Sequence, residues 1–473
     1  MSHHVGSLGH EARAWSFVGP ATKGLAFAHP VRLSEARALM STEQPDVDSQ
    51  WTRFPVLELS DSAISHNIAV MAHVADVTGV VHAPHIKTSM SPQLLERQIA
   101  AGSWGVTTAT VGHISTVLSW GVDGLTNVFH ANEVVVASEI AFLASKVWDA
   151  QRCADQLSIV VCVDSVASVA KVRAGFAEFE RSVAGASGLD VTDPTIRERL
   201  DRVRQHLVVV VEVGVSGGRT GVRSLDEAVS VARAAYDAGL TVRGVSGYEG
   251  SVAGGHSPEE LQAVSDFVVS LRSTAAALIE QGVVDLGDDN SVIVSAGGSA
   301  YLDVVCAELP GPLRIGNVKT SSSVVEVSVL PVVRAGAYII HDHGLLARAN
   351  PWLRMPESWF EGFAGAHTPQ AAAHVHAVVL SVPEPGRAFL NVGRRDVPFD
   401  IDLPLVVSHQ GWTVTSVNDQ HAFLEAAEGF DSLHVGDVVR LGVSHPCTLF
   451  DKWTNPLITD DDHRIIDIIE TQF

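Results

Sequence analysis

The chain has 473 residues, of which 46% are hydrophobic and 18% charged, enough apolar material for a large domain and a smaller second one. Its formal net charge of −22 argues against nucleic acid or an anionic membrane surface as a partner. No apolar run reaches the length of a membrane span, and the N-terminus lacks a basic region followed by an apolar stretch. We therefore expect neither a membrane segment nor a secretory signal. The cysteines have no paired spacing and fit a reducing, cytoplasmic compartment; they are Cys153, Cys162, Cys306 and Cys447.

Residues 1–53 show no sustained period, and we expect them to form a partly ordered N-terminal extension. Residues 54–345 then alternate between apolar, β-branched runs and segments of helical period. The eight runs are 80–88, 104–111, 124–131, 158–164, 207–215, 242–249, 291–297 and 322–334.

Continuous Val and Ile runs are typical of strands buried on both faces, and intervening helices indicate parallel crossovers. Eight such units predict an α/β fold, a (β/α)8 TIM-like barrel, with functional residues at the carboxyl ends of the strands. An open doubly wound sheet is the alternative. In residues 346–473 short alternating runs replace the helical pattern, which predicts a C-terminal, mostly-β domain.

Lys87 ends the first barrel run, in PHIKTSM. A lysine at the end of so apolar a run either extends its ammonium to water or pairs with an acid. The alternative is a Schiff-base lysine, whose amine must be partly desolvated to become nucleophilic. The sequence around Lys87 alone leaves both readings open.

Three later segments supply groups that suit a phosphorylated, ring-shaped cofactor. Gly297, Gly298 and Ser299 end the seventh run, where a barrel commonly binds phosphate through backbone N–H groups. Arg219 lies among glycines in GVSGGRTGV, and Tyr248 lies in GYEG. Taken singly, each has an ordinary explanation: a plain loop, an ion-paired arginine, a packed tyrosine.

His445 and Cys447 lie two positions apart on what we predict to be a strand, so both would point to one face. An imidazole and a thiolate suit Zn²⁺, although a turn histidine beside an inert cysteine is the simpler reading of the pair alone. His341 and His343 repeat this spacing and could be further ligands, substrate contacts or supporting hydrogen-bond partners. We expect His421 to lie near the metal.

Read in order, PHIKTSMSPQLLERQIAAGSWGVTTAT, GGRTGV, GYEG, AGGSAY, RAGAYIIHDHG, NDQHAFL and SHPCTLFDKW resemble the D-serine dehydratase and D-threonine aldolase family of alanine-racemase-like enzymes. The likeness is greatest to bacterial amino acid deaminases, and it spans about residues 54–455.

The resemblance implies a role for each of these positions. Lys87 carries pyridoxal 5′-phosphate (PLP) as a Schiff base, Arg219 faces the 3′-oxygen of the cofactor, and Tyr248 contacts its pyridine nitrogen. The phosphate is held by the backbone and hydroxyl of Gly297, Gly298 and Ser299. The catalytic metal, Zn²⁺ or another divalent ion, is held by His445 and Cys447.

The implied activity is a PLP- and metal-dependent dehydratase, or ammonia-lyase, that converts a D-β-hydroxy amino acid such as D-serine or D-threonine to a 2-oxo acid and ammonia. Retro-aldol cleavage to glycine and an aldehyde is the alternative, and Cys447 favours elimination because the aldolase branch of the family has a carboxylate there. A racemase or a non-catalytic PLP-binding protein is less consistent with the motifs. The fold type also implies a homodimer.

Overall fold

The computed structural model describes residues 16–152, 156–186, 189–316, 324–430 and 432–473. Cys153 and the first fifteen residues of the predicted extension lie outside the described residues.

The rest of the N-terminal extension is folded. Its antiparallel pair β1 (Phe17–Val18) and β2 (Val31–Arg32) precedes α1 (Leu33–Glu43). Met40 of α1 is buried in an apolar cluster with Leu457 and other residues near the C-terminus. Residues 16–53 are therefore anchored on the C-terminal sheet.

Eight parallel strands form the barrel sheet, and each corresponds to one of the predicted runs. They are β4 (Val81–His82), β5 (Val106–Thr108), β6 (Asn127–Glu133), β7 (Ser158–Val163), β8 (Leu207–Val213), β9 (Val242–Gly247), β10 (Ser291–Ala296) and β12 (Val325–Val333). The short β11 (Leu313–Ile315) pairs antiparallel with β12.

The sheet closes on itself. β12 pairs with β4, and a parallel bridge between His85 and Thr107 joins the chain after β4 to β5. Alternate residues of the Val-rich strands point inward, where Val160, Cys162 and Val208 lie in one buried cluster with Phe129. The prediction of an alanine-racemase-type barrel rather than an open sheet is confirmed.

Helices cover the outer face of the barrel. They are α2 (Asp61–Thr78), α3 (Pro92–Ala100), α4 (Val111–Ser119), α5 (Ala137–Arg152), α6 (Val166–Ala186), α7 (Pro194–His206), α8 (Leu225–Asp237), α9 (Pro258–Glu280) and α10 (Leu302–Glu308). The short α11 (Leu345–Ala349) follows the last barrel strand.

A second sheet forms the predicted mostly-β domain. Its strands are β13 (Ala373–Glu384), β14 (Arg387–Leu390), β15 (Leu405–Val406), β16 (Trp412–Val417), β17 (Ala422–Ala426), β18 (Val438–Gly442), β19 (Leu457–Thr459) and β20 (Ile465–Ile468). An early strand, β3 (Val56–Ser60), also belongs to this sheet, between β13 and β19. The span 54–345 that the sequence assigned to the barrel therefore begins with a strand of the other domain.

The buried carboxylate of Glu58 explains why β3 joins the second sheet. It accepts hydrogen bonds from His463 Nδ1 at 2.6 Å and Thr459 Oγ1 at 2.7 Å, and from His376 Nε2. Burial disfavours the charge on Glu58. The hydrogen bond and charge of His376, and then the hydrogen bonds of His463 and Thr459, outweigh burial and lower the pKa of Glu58 to about 2.

Candidate active site at the mouth of the barrel

Lys87 lies just beyond β4 in a 3-10 turn, Ile86–Thr88. Ile86 and Thr88 are each 2% exposed, whereas Lys87 between them is exposed. Burial, and then the positive charges of Lys87 and Arg334, hold the pKa of His85 well below its usual value. The lysine therefore stands beside a neutral imidazole at the carboxyl end of the barrel.

The amide pair predicted to bind phosphate already binds an oxyanion. Gly297 N donates to Glu249 Oε2 at 2.9 Å, and Gly298 N donates to Glu249 Oε1. Gly297 has a φ of +133°, and a Cβ there would lie 2.6 Å from the backbone nitrogen of Arg334, so only glycine fits. Ser299 is partly buried and lines a small cavity on the side of Trp352.

Arg219 and Tyr248 meet at the same end of the barrel. The guanidinium carbon of Arg219 lies 5.6 Å from the centre of the Tyr248 ring, a weak cation–π distance. Burial, and then the charge of Glu249, raise the pKa of Tyr248, with the Arg219 charge acting in the opposite direction. Tyr248 is thus a neutral phenol, 41% exposed, beside a permanent cation.

Sequence reasoning missed a pair of carboxyl groups inside the barrel mouth, Glu133 on β6 and Glu212 on β8. Burial, and then the hydrogen bond and charge of Glu212, raise the pKa of Glu133 to about 9. Glu212 Oε1 accepts from Thr220 Oγ1 at 3.0 Å, whereas Glu133 Oε1 and Glu212 Oε2 are buried and have no hydrogen-bond partner among the described residues. A proton held between the two side chains would satisfy both of these atoms.

His445 and Cys447 lie together, although not on a strand as predicted. β18 ends at Gly442, and Pro446 starts a 3-10 turn, Pro446–Thr448, because its fixed φ suits the first position of such a turn. The turn still brings the two side chains into hydrogen-bond contact.

The surroundings of this pair favour a thiolate. The hydrogen bond with Cys447 is the main cause that raises the pKa of His445 to about 9, against the effect of burial. Burial also opposes ionisation of Cys447, but His445, Thr88 and the charge of Lys87 outweigh it and lower the pKa of the thiol.

Asp400 orients the imidazole. Its Oδ2 lies 2.7 Å from His445 Nδ1, and its Oδ1 accepts from Thr448 Oγ1 at 2.9 Å. A proton on Nδ1 would leave Nε2 free to ligate a metal ion, the usual arrangement of a metal-bound histidine. Among the residues that the structure describes, no three or more His, Cys, Asp and Glu side chains are grouped to hold a metal. Further positions around an ion on the pair would be open to water or substrate.

The residue after Lys87, Thr88, contacts Cys447. Thr88 Oγ1 lies 3.4 Å from Cys447 Sγ, across 359 positions of sequence. The loop after β18 therefore brings His445 and Cys447 to the side of the barrel mouth on which Lys87 lies.

The other histidines singled out in the sequence have different positions. His341 is 5% exposed, with a left-handed φ of +50°; its Nδ1 bonds the Asp342 carbonyl at 2.9 Å and its buried Nε2 has no partner in the described structure. His343 is packed edge-on against His374, with ring centres 5.0 Å apart. His421 is exposed in the turn between β16 and β17.

The fold is a barrel of parallel strands joined to a β domain, and solved structures share this architecture. The D-threonine aldolase from Filomicrobium marinum has a TM-score of 0.66 at 21% identity, over 89% of this chain and 95% of that one. An alanine-racemase-like protein from Idiomarina loihiensis has a TM-score of 0.59 at 15% identity, over 89% and 96%.

Sequence comparisons show which enzymes this chain is similar to. The family described as "Putative serine dehydratase domain" matches residues 372–459. The chain is 24% identical to a D-threonine aldolase of Arthrobacter over 392 residues, 83% of this chain and 85% of the relative. It is 25% identical to the D-threo-3-hydroxyaspartate dehydratase of Delftia sp. strain HT23 over 291 residues, 61% of each. The predicted resemblance to the D-serine dehydratase and D-threonine aldolase family is confirmed, and the relatives are lyases of D-β-hydroxy amino acids.

The Delftia dehydratase fold also matches, with a TM-score of 0.61 at 20% identity over 89% of this chain and 97% of that one. Two further structures of a D-threo-3-hydroxyaspartate dehydratase carry point mutations, one of a histidine and one of a cysteine two positions later, the cysteine mutant in a metal-free form. In the described part of this chain, no helix is both long and apolar enough to cross a membrane.

Proposed function

We propose that this protein is a PLP- and metal-dependent lyase that dehydrates and deaminates a D-β-hydroxy amino acid to a 2-oxo acid and ammonia. The contact between Thr88 and Cys447 carries the proposal, because it supports a role for the His445 and Cys447 pair close to Lys87, the residue next to Thr88. A PLP-binding protein without catalysis needs no such pair.

The residues of the mouth fit the cofactor. Lys87 supplies an accessible amine, and the N–H groups of Gly297 and Gly298 are placed to donate to an oxyanion, as they do to the Glu249 carboxylate. When bound, PLP supplies an electron sink that acidifies the α-hydrogen of the amino acid. Arg219 and Tyr248 are our candidates for contacts to the 3′-oxygen and the ring nitrogen.

The donor pair fits a borderline-soft divalent ion, and we assign Zn²⁺ to it. A thiolate and an imidazole select Zn²⁺ over Mg²⁺, and the spacing of His445 and Cys447 is that of the histidine and cysteine mutated in a D-threo-3-hydroxyaspartate dehydratase. When bound, the metal supplies a Lewis acid that helps the β-hydroxyl to leave.

The chain's own groups perform the proton transfers and the positioning. Lys87 Nζ, in the 3-10 turn that follows β4, removes the α-proton of the substrate. His445 Nε2 is kept directed away from Asp400 by the bond at Nδ1, and Thr448 fixes the carboxylate in turn. Burial and the positive charges of Lys87 and Arg334 keep the pKa of His85 low, so the side chain two positions before Lys87 is a neutral imidazole.

Retro-aldol cleavage to glycine and an aldehyde is the second candidate. It is favoured by the length of the match to the Arthrobacter D-threonine aldolase, which covers more of this chain than the match to the Delftia dehydratase. Cys447 favours dehydration, because a D-threo-3-hydroxyaspartate dehydratase of the same fold also has a cysteine two positions after a histidine.

The product mixture separates these activities. Purified protein loaded with PLP and Zn²⁺ is incubated with D-serine, D-threonine and D-threo-3-hydroxyaspartate, and ammonia, 2-oxo acid, glycine and aldehyde are measured. We expect equimolar ammonia and 2-oxo acid, and borohydride reduction should fix the cofactor on Lys87. Glycine with aldehyde would establish the aldolase instead, and a label on another lysine would refute the site.

We also propose that the protein is a cytoplasmic homodimer. Exposed apolar side chains surround the barrel mouth: Val135 and Val136 follow β6 at 51% and 48% exposed, and Phe399 and Ile401, each 44% exposed, flank Asp400. Such a patch is typical of a surface that a partner covers. Light scattering at working concentration should give twice the chain mass of 50.2 kDa, and a fully active monomer would contradict the proposal.

A further inference from the structure

Glu249 occupies the amide pair that the proposed function assigns to the cofactor phosphate. It follows Tyr248 at the start of the 3-10 turn Glu249–Ser251 and is 0% exposed. Both of its carboxylate oxygens are used, one by each of the two successive N–H groups of Gly297 and Gly298. This is the bonding that a phosphate would need from the same two donors.

The carboxylate has no other strong partner. Within the described residues Glu249 forms no ion pair, and its hydrogen bonds are those to the two glycine amides. A buried carboxylate without a cation is costly unless its oxygens are fully bonded, so the amide pair is what holds Glu249 in this position. A second anion cannot use these donors while the carboxylate remains.

We propose that Glu249 is an internal competitor for the phosphate subsite, and that PLP binding requires its carboxylate to leave Gly297 and Gly298. The inference rests on the proposed function, since it concerns how that cofactor is bound. Space beside Gly298 is limited too: a Cβ there would lie 3.0 Å from both Glu249 Oε1 and Tyr248 Cε2. The phosphate therefore replaces the carboxylate rather than adding to it, and the cost of displacing Glu249 weakens the affinity for PLP.

The test compares two ligands and two substitutions in the metal-loaded protein. Glu249→Gln keeps the size of the side chain but removes its charge, and Glu249→Ala removes the competing group altogether. Glu259→Gln, at an exposed acid ten positions later, removes the same charge elsewhere. Dissociation constants are measured by absorbance titration for PLP and for pyridoxal, which forms the same bond with a lysine but lacks the phosphate.

We expect both Glu249 variants to bind PLP at least about tenfold more tightly than the wild type and the Glu259→Gln control, with the affinity for pyridoxal unchanged. Equal or weaker PLP binding by both variants would overturn the inference while leaving the proposed function intact. A parallel gain for pyridoxal would also overturn it, because the effect would not act through the phosphate. Failure of wild-type protein to bind either ligand would contradict the proposed function itself.

Discussion

Asp400 is the residue through which the C-terminal domain controls the donor pair. It bonds both His445 and Thr448, so the carboxylate fixes the ring orientation and the tautomer of the imidazole. Partners of this kind are usually important for metal affinity, although they do not touch the ion.

We expect Asp400→Asn to weaken Zn²⁺ binding by about 10- to 100-fold, since an amide can no longer stabilise the protonated Nδ1 as an anion does. Metal affinity is measured by competition with a chromophoric chelator. Asp402→Asn is the matched control, because Asp402 pairs with Arg348 on the surface and its side chain does not contact His445. Equal affinities in the two variants would show that Asp400 does not position the ligand.

For single residues, the sequence predicts those whose type is unusual in their local pattern. It misses those whose role depends on a contact with a residue distant in the sequence. Lys87 ends an apolar run and Cys447 follows a histidine at ligand spacing, so both are visible in one dimension. Glu249 and Glu133 are recognised as important only through their partners: Gly297, which follows β10, and Glu212 on β8. The available signal for Glu212 was its charge within the apolar run LVVVVEV. A buried carboxylate is costly without a bonding partner, so this residue indicates that a second polar group lies nearby.

At the scale of elements, three adjacent strands bring the carboxyl pair together. Glu133 of β6 lies opposite Cys162 of β7, and β7 pairs with β8, which ends beside Glu212. Because parallel strands end at the same edge of the sheet, acids on alternate strands converge in the mouth. The pair then shares a proton because two buried charges at close range repel each other.

Glu133→Gln should stabilise the protein at alkaline pH. The pKa of Glu133 is about 9 in the folded protein against 4.5 unperturbed, so folding favours the protonated form and wild-type stability falls as the pH rises from 4.5 to 9. Glutamine cannot ionise and loses this dependence. At pH 8 we expect a gain of about 2 kcal/mol over wild type, less than the full pKa shift implies because Glu133 is only partly buried.

Urea unfolding of both proteins at pH 5 and pH 8 measures the effect. The gain should be much smaller at pH 5, and Glu361→Gln, at an exposed acid, should change neither value by more than about 0.5 kcal/mol. A variant that loses stability equally at both pH values would contradict the shared proton.

Barrel strands were predictable because each is a continuous apolar run bounded by helical periodicity. The strands of the second sheet were harder to predict, because β14, β17, β19 and β20 are short and lie among turn residues. The strand β3 precedes the barrel in sequence but pairs with β13 and β19. The turn at Pro446 was missed because the alternating sequence pattern of β18 continues through His445, whereas the proline begins a 3-10 turn.

At the scale of the whole molecule, the site depends on the way the chain returns to its beginning. Residues 16–53 and β3 are built into the C-terminal domain, and the chain then forms the barrel before completing that domain. The loop after β18 thereby reaches the start of the barrel, where Thr88 meets Cys447. Lys87, near the start of the sequence, and the pair His445 and Cys447, near its end, therefore lie at the same mouth of the barrel.

The dependence of D-serine dehydration on Cys447 tests the account most directly. Cys447→Ala removes the thiolate but leaves Lys87, Gly297 and Gly298 in place, so the PLP absorbance should persist. Pyruvate and ammonia formation should fall at least about a hundredfold, the scale of losing Lewis-acid help to a poor leaving group, and chelation of the wild type should do the same. Cys306→Ala, at a buried cysteine of α10, should keep its activity. Full dehydratase activity in Cys447→Ala or in metal-free wild-type protein would contradict the account.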